Sequence, residues 1–261
     1  MLKKEEENIG EIRQIIIISD GKSNIGVSPI DAAKQACKMG IVVSTIGIIG
    51  QNGDGDERDI EELEGIAKAG GGLCEYTHLE ELGMTVQVMT QKTAQKTIEQ
   101  IVSRQLKSII GVDMNNLEPK SRFKIVDFIE NYGDSINLKC AVVLDASGSM
   151  GSKLDTAKRS LIDLLQNLNS RKGESKIAVI KYPGNWEETA SVVCSFTDST
   201  ELLQNRLSTI GAGGGTPTGP AIEKACQLIM ESMKVPQEED NGFVKKTDLQ
   251  DGSEMIENYY V

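Results

Sequence analysis

Asp145, Ser147 and Ser149 stand at alternate positions directly after a short apolar run, Cys140 to Leu144, and Gly148 separates the two serines. A β-branched run cut off by a carboxylate reads as a buried strand delivering an oxygen-rich loop. One carboxylate and two neutral hydroxyls are hard oxygen donors, which suit Mg²⁺ or Mn²⁺ and not zinc or copper, whose preferred ligands are thiolate and imidazole. The competing reading of the same residues is a strand-end turn whose serines cap the next helix while Asp145 is solvated.

Other short patterns fall away on inspection. Asp20-Gly21-Lys22-Ser23 has the tail of a phosphate-binding loop, but the required glycine would be residue 16, which is Ile16. Asn52 to Asp56 resembles a calcium loop, yet Glu57 stands where glycine is needed and Leu63 where the closing glutamate belongs. Asp145-Ala146-Ser147 lacks the second aspartate of a haloacid-dehalogenase-type phosphatase. Gly148-Ser149-Met150-Gly151 misses the nucleophile-elbow spacing, and the lone His78 leaves little room for a catalytic triad.

Elements must bring the donors together. Ile15 to Ile18 is a second buried strand, ending in Ser19-Asp20-Gly21. Ser28 then caps a helix that Pro29 opens and Gly40 closes. Ile41 to Ile48 is a strand, Asn52 to Gly55 a turn, and Ile60, Leu63, Ile66 and Ala67 the apolar face of a helix stopped by Gly70 to Gly72. Leu73 to Tyr76 reads as a short edge strand, and Thr77 to Glu80 as a capping box. From Met84 to Ile110 the pattern is one long amphipathic helix with Ile98, Ile101, Val102, Leu106, Ile109 and Ile110 on its apolar side; this side packs on the domain or serves a partner. A further helix turns Phe123, Val126, Ile129 and Tyr132 inward and ends at Gly133. After Cys140 to Leu144 come a helix with its stripe from Leu154 to Leu168, strands at Ile177 to Ile180 and Ser191 to Cys194, and a short helix marked by Leu202, Leu203 and Leu207. The run Gly211 to Gly219 leads into a helix that starts near Pro220. Strands alternating with helices across short glycine-rich turns imply an α/β, doubly wound, mostly parallel sheet with helices on both faces.

Composition narrows the function. The 261 residues carry a net charge of −11, with the acids dispersed, which speaks against nucleic acid or an anionic membrane as partner. No stretch approaches the roughly 20 apolar residues of a membrane span, and the first apolar run is too short for a signal segment, so a cytoplasmic protein is expected. The five cysteines are isolated in apolar surroundings and read as reduced and buried.

Asp-x-Ser-x-Ser at a strand end resembles the metal-ion-dependent adhesion site (MIDAS) of von Willebrand factor A (vWA) domains. In that family a threonine from a glycine-rich loop and an aspartate from a strand-end Ser/Thr-Asp-Gly complete the site. The resemblance therefore implies five ligands, Asp145, Ser147, Ser149, Thr216 and Asp20, around Mg²⁺ or Mn²⁺. Thr218 is the alternative to Thr216, and is read instead as a helix cap. The order of the loops departs from the family, since Asp20 precedes Asp145. A circular permutation accounts for this: residues 12–82 resemble the C-terminal half of the fold, 83–137 form a helical connector, 138–234 resemble the N-terminal half, and 235–261 are an acidic, disordered tail. Such a layout is similar to that of the YabS-like proteins of spore-forming bacteria. It implies a 3-2-1-4-5-6 sheet with the strands of Asp145 and Asp20 adjacent, and a monomer.

The resemblance further implies a non-enzymatic adaptor or assembly factor whose metal binds an Asp or Glu carboxylate of a protein partner. The alternatives are a Mg²⁺-dependent phosphatase or hydrolase, and a dimer in which half-domains swap between chains. The acidic run Glu238-Glu239-Asp240 could also occupy a neighbouring chain's metal site.

Overall fold

A computed structural model describes residues 10–21, 23–49, 57–111, 116–185 and 188–233. The turn at Asn52 to Gly55 and the acidic tail lie outside these residues. In chain order the elements are β1 (Glu11–Ser19), α1 (Pro29–Lys38), β2 (Val42–Ile49), α2 (Glu57–Ala69), β3 (Gly71–His78), α3 (Leu82–Ile110), α4 (Pro119–Gly133), β4 (Asn137–Asp145), α5 (Leu154–Leu168), β5 (Ser175–Tyr182), β6 (Ser191–Thr197), α6 (Thr200–Leu207) and α7 (Thr218–Glu231).

The six strands form one sheet in the order β3-β2-β1-β4-β5-β6. All neighbours are parallel except β5 and β6. A strand buried on both faces must be apolar at every position, and β1 with its four consecutive isoleucines and β4 with Ala141 to Leu144 meet that requirement. Alternation then sorts their side chains to opposite faces. Ile16, Ile18, Val142 and Leu144 join the layer under α3, α5 and α6, while Ile15, Ile17, Ala141 and Val143 join that under α1, α2 and α7. Each isoleucine, leucine or valine among them taken fully out of water contributes about 1.5–3 kcal/mol, so the two central strands anchor the fold.

Among the buried positions between Ile12 and Ile16 one is polar. Gln14 is fully buried, and among the described residues its side-chain amide has only the weakly bonding Cys140 thiol beside it. An unsatisfied buried amide costs free energy that an apolar side chain of similar shape does not. Gln14→Met is therefore expected to stabilise the protein by about 1–2 kcal/mol. The check is a higher urea midpoint at unchanged m-value; a lower midpoint would contradict the assignment.

Local signals behave as their chemistry requires at α1, where the Ser28 hydroxyl accepts from the Asp31 N–H at 3.3 Å and Pro29 occupies the first turn. Elsewhere the structure corrects the sequence reading. Thr77 belongs to β3 and caps nothing; its hydroxyl meets that of Thr85 instead. The buried side of α3 begins earlier than expected, at Leu82, Val86, Met89 and Ala94; of the expected side Ile98 is buried and Val102 packs against the core, whereas Ile101 and Ile109 are exposed. Polar clasps fix that first half of α3 to the sheet, with Ser44 Oγ 2.9 Å from Thr93 Oγ1 and Lys96 Nζ donating to the Gly72 carbonyl at 2.8 Å. In α4, Ile129 is buried but Phe123 is 72% exposed, so the helix does not turn Phe123 inward. Among the cysteines, Cys140, Cys194 and Cys226 are buried, while Cys37 is exposed and Cys74 half-buried; all are free thiols.

Candidate metal centre

β1 and β4 run side by side in parallel, with Ile18 level with Leu144, so Ser19 and Asp145 emerge together at the carboxyl edge of the sheet. The crevice beyond that edge is where open α/β sheets bind ligands. Asp145 has no exposed surface. Its Oδ2 accepts from the Ser19 hydroxyl at 2.6 Å and its Oδ1 from the Ser147 N–H at 2.8 Å. Burial pushes the Asp145 carboxyl above its ordinary range; these hydrogen bonds pull against that shift, and the nearby charge of Asp20 adds to it.

The segment after β4 does not cap α5. α5 begins at Leu154 with Lys153 before it and no side-chain cap, and the serines face each other and the β1 loop. Ser147 Oγ lies 3.1 Å from Ser149 Oγ, and Ser149 Oγ donates to Asp20 Oδ1 at 2.7 Å. Residues 129 positions apart in the chain thus meet across two adjacent strand ends.

The glycine-rich loop closes the third side. Gly213 N donates to the Ala146 carbonyl at 2.8 Å, and Gly148 N lies 3.4 Å from the Gly214 carbonyl. Gly214 has a φ of 82°, a left-handed conformation suited to glycine, and a Cβ there would stand 2.9 Å from Pro183 Cγ. Thr216 is tied to the β1 loop through its backbone: its N–H donates to Asn24 Oδ1 at 2.8 Å, and its carbonyl accepts from Asn24 N at 3.1 Å and from Ser23 Oγ at 3.2 Å. Thr218 does not act as a cap. Pro217 holds that position, and no side chain caps α7.

Beneath the site, β5 places Tyr182 level with Asp145. Its ring is fully buried, and its hydroxyl lies beside those of Ser19 and Thr218. Burial, followed by the charge of Asp145, holds that phenol far above its usual range, so it keeps its proton.

The donor set can be tested against a hard cation. Octahedral Mg²⁺ with oxygens at 2.0–2.1 Å sets neighbouring oxygens about 2.9 Å apart, which the Ser147–Ser149 and Ser149–Asp20 spacings match. Among the described residues no group of three or more His, Cys, Asp or Glu side chains could hold a metal. The ligands on offer are thus two carboxylates and hydroxyls, a set that fits Mg²⁺ or Mn²⁺ and disfavours zinc.

Sequence reasoning overlooked four residues around this set. Ser19 and Asn24 fasten the loops, Tyr182 underlies Asp145, and the Lys153 ammonium pairs with Asp20. Only Ser19 carried a signal, as the residue directly before Asp20 at a strand end.

Residues 140–242 match the family model of the von Willebrand factor type A domain. Over 220 residues the chain is 38% identical to the uncharacterized protein YabS of Bacillus subtilis (strain 168), a span of 84% of this chain and 89% of YabS. It is also similar to the crystal structure of an uncharacterized protein from Alicyclobacillus acidocaldarius, with a TM-score of 0.79 and 38% identity over 86% of this chain and 96% of that one.

Proposed function

Because the chain belongs to the von Willebrand factor type A family, related across most of its length to YabS, we propose that the crevice above β1 and β4 is a metal-dependent protein-binding site. Asp145, Ser147, Ser149, Thr216 and Asp20 would hold Mg²⁺ or Mn²⁺, and an Asp or Glu side chain of a partner protein would complete the coordination. The observation that carries this reading is the chain of contacts from Ser147 through Ser149 to Asp20, which joins loops from opposite ends of the sequence into one oxygen cluster. The order of those loops supports a circularly permuted arrangement in which 12–82 and 138–234 are the two halves of the fold and 83–137 the connector.

A bound divalent cation would supply a Lewis-acidic position that attracts an anionic oxygen. The rest follows from the chain's own residues. Ser19 and the Ser147 N–H orient Asp145, Asn24 fixes the Thr216 loop, and the sheet and α7 keep solvent from the base of the crevice. Hydroxyl ligands add no negative charge beyond that of the two aspartates, so the cation keeps its attraction for a further carboxylate oxygen. Binding of that kind requires no nucleophile or general base, and the role fits an adaptor or assembly factor.

The test is affinity capture on the immobilised chain in Mg²⁺ or in chelator, repeated with Ser147→Ala/Ser149→Ala. Partners should be held by the unaltered chain in Mg²⁺ and released by chelator or free acetate, while the double variant retains at least tenfold less. Equal retention in all arms would contradict the reading.

A further inference from the structure

One cation already sits in the crevice. Lys153 follows Ser149 by four residues, and its N–H donates to the Met150 carbonyl at 2.9 Å, a turn that carries its side chain back over the β1 loop. Its ammonium lies 2.5 Å from Asp20 Oδ2, while Asp20 Oδ1 takes the Ser149 hydroxyl. The Asp20 side chain is 1% exposed and that of Lys153 22%. Both carboxylate oxygens are therefore engaged, one of them by a full positive charge, and the Asp20 side chain itself is shielded from water.

Charge counting gives this pairing a consequence. Asp20 and Asp145 contribute two negative charges and the serine and threonine hydroxyls none. A divalent cation would bring that set to neutrality, and Lys153 raises the total to +1. We propose that Lys153 is the tethered counter-ion of this site: it neutralises Asp20 when no metal is bound, opposes the entry of a divalent cation, and then leaves the loaded site with a net positive charge that one partner carboxylate neutralises. This rests on the metal-binding reading above and specifies it. The ligand preferred is a singly charged carboxylate lying across the cation and the Lys153 ammonium, and metal affinity is set lower than the oxygen ligands alone would give.

Two opposite effects distinguish this role from a merely structural ion pair. Removing the charge in Lys153→Gln, which keeps a hydrogen-bond donor near Asp20, should tighten Mn²⁺ binding about tenfold or more, because a like charge within a few ångströms of the cation is lost. The same change should weaken the gain in Mn²⁺ affinity that acetate confers on the unaltered protein. Lys153→Arg, which keeps the charge, should stay within about threefold of the unaltered protein in both respects. Mn²⁺ titrations followed by electron paramagnetic resonance, with and without acetate, read both quantities, and a thermal melt in chelator confirms that each variant is folded. Equal or weaker Mn²⁺ binding by Lys153→Gln than by the unaltered protein overturns the inference and leaves the metal site standing. Failure of every form to bind Mn²⁺ overturns both. Binding by Lys153→Gln alone supports the inference, with the lysine then the dominant obstacle to the metal.

Discussion

Asp145→Asn is expected to make the metal-free protein more stable and to deprive it of divalent-cation binding. Asp145 has no exposed surface, and burial raises its carboxyl above the value it has in the unfolded chain, so its charged form is costly in the folded protein. A neutral asparagine removes the cost of desolvating that charge and can keep both local contacts. Its oxygen takes the Ser147 N–H, and its amide donates to Ser19 Oγ, whose own proton has the Gly21 carbonyl within 3.0 Å. The expected gain in chelator at pH 7 is about 1–2 kcal/mol. Its pH dependence has a definite sign. A carboxyl raised in the folded state favours folding fully below its unfolded value near 4, and that contribution is lost as pH rises through the folded value. The advantage of the variant should therefore shrink as pH is lowered from 7 towards 4. Mn²⁺ affinity should fall about 100-fold or more, since one of the two carboxylates facing the cation is gone. A variant that is less stable in chelator, or that binds Mn²⁺ like the unaltered chain, would contradict this account of Asp145.

Gly219→Ala should damage both the fold and the site, although alanine is the better helix former by about 1 kcal/mol. Gly219 lies in the first turn of α7, where that helix crosses the segment leading into α1, and a Cβ there would stand 2.0 Å from the Val27 carbonyl oxygen and 2.9 Å from its carbon. Backbone cannot yield as a flexible side chain can, so α7 must move away from α1. The expected cost is about 2–4 kcal/mol. Thr216 sits just before α7 and is bound to Asn24 on the β1 loop, so the same displacement pulls the glycine-rich loop from the oxygen cluster. Urea denaturation and a Mn²⁺ titration on one preparation should show both losses. A variant as stable as the unaltered protein would mean that the two helices are not packed as described.

The parts of this molecule that were legible beforehand are those governed by one local rule. The isoleucine run of β1, the capped start of α1 and the leucine stripe of α5 each announce themselves within a few residues, because burial on both faces, a satisfied N-terminus and a 3.6-residue period are local demands. α3 was misjudged for the opposite reason. Its C-terminal half has the more conspicuous aliphatic pattern, of which Ile98 and Val102 do meet the core, yet most of the packing falls to Leu82, Val86, Met89 and Ala94 together with the Ser44–Thr93 and Lys96–Gly72 contacts. Phe123 on α4 is exposed despite its helical spacing. At the site the oxygen-bearing residues proposed as ligands are chosen from residue type and spacing. Lys153 could not be found that way, because a lysine before a helix ordinarily reads as solvated, and only the turn through Met150 aims it at Asp20. Tyr182 likewise becomes visible as the floor under Asp145 only once β4 and β5 are in register.

The most direct measurement of the central claim is a Mn²⁺ titration of the metal-free chain by electron paramagnetic resonance, with Mg²⁺ as competitor. One saturable Mn²⁺ site per chain is expected, emptied by excess Mg²⁺ and abolished in Ser147→Ala/Ser149→Ala. No saturable binding at millimolar Mn²⁺, or binding that the double variant leaves untouched, would contradict a metal centre built from the loops after β1 and β4.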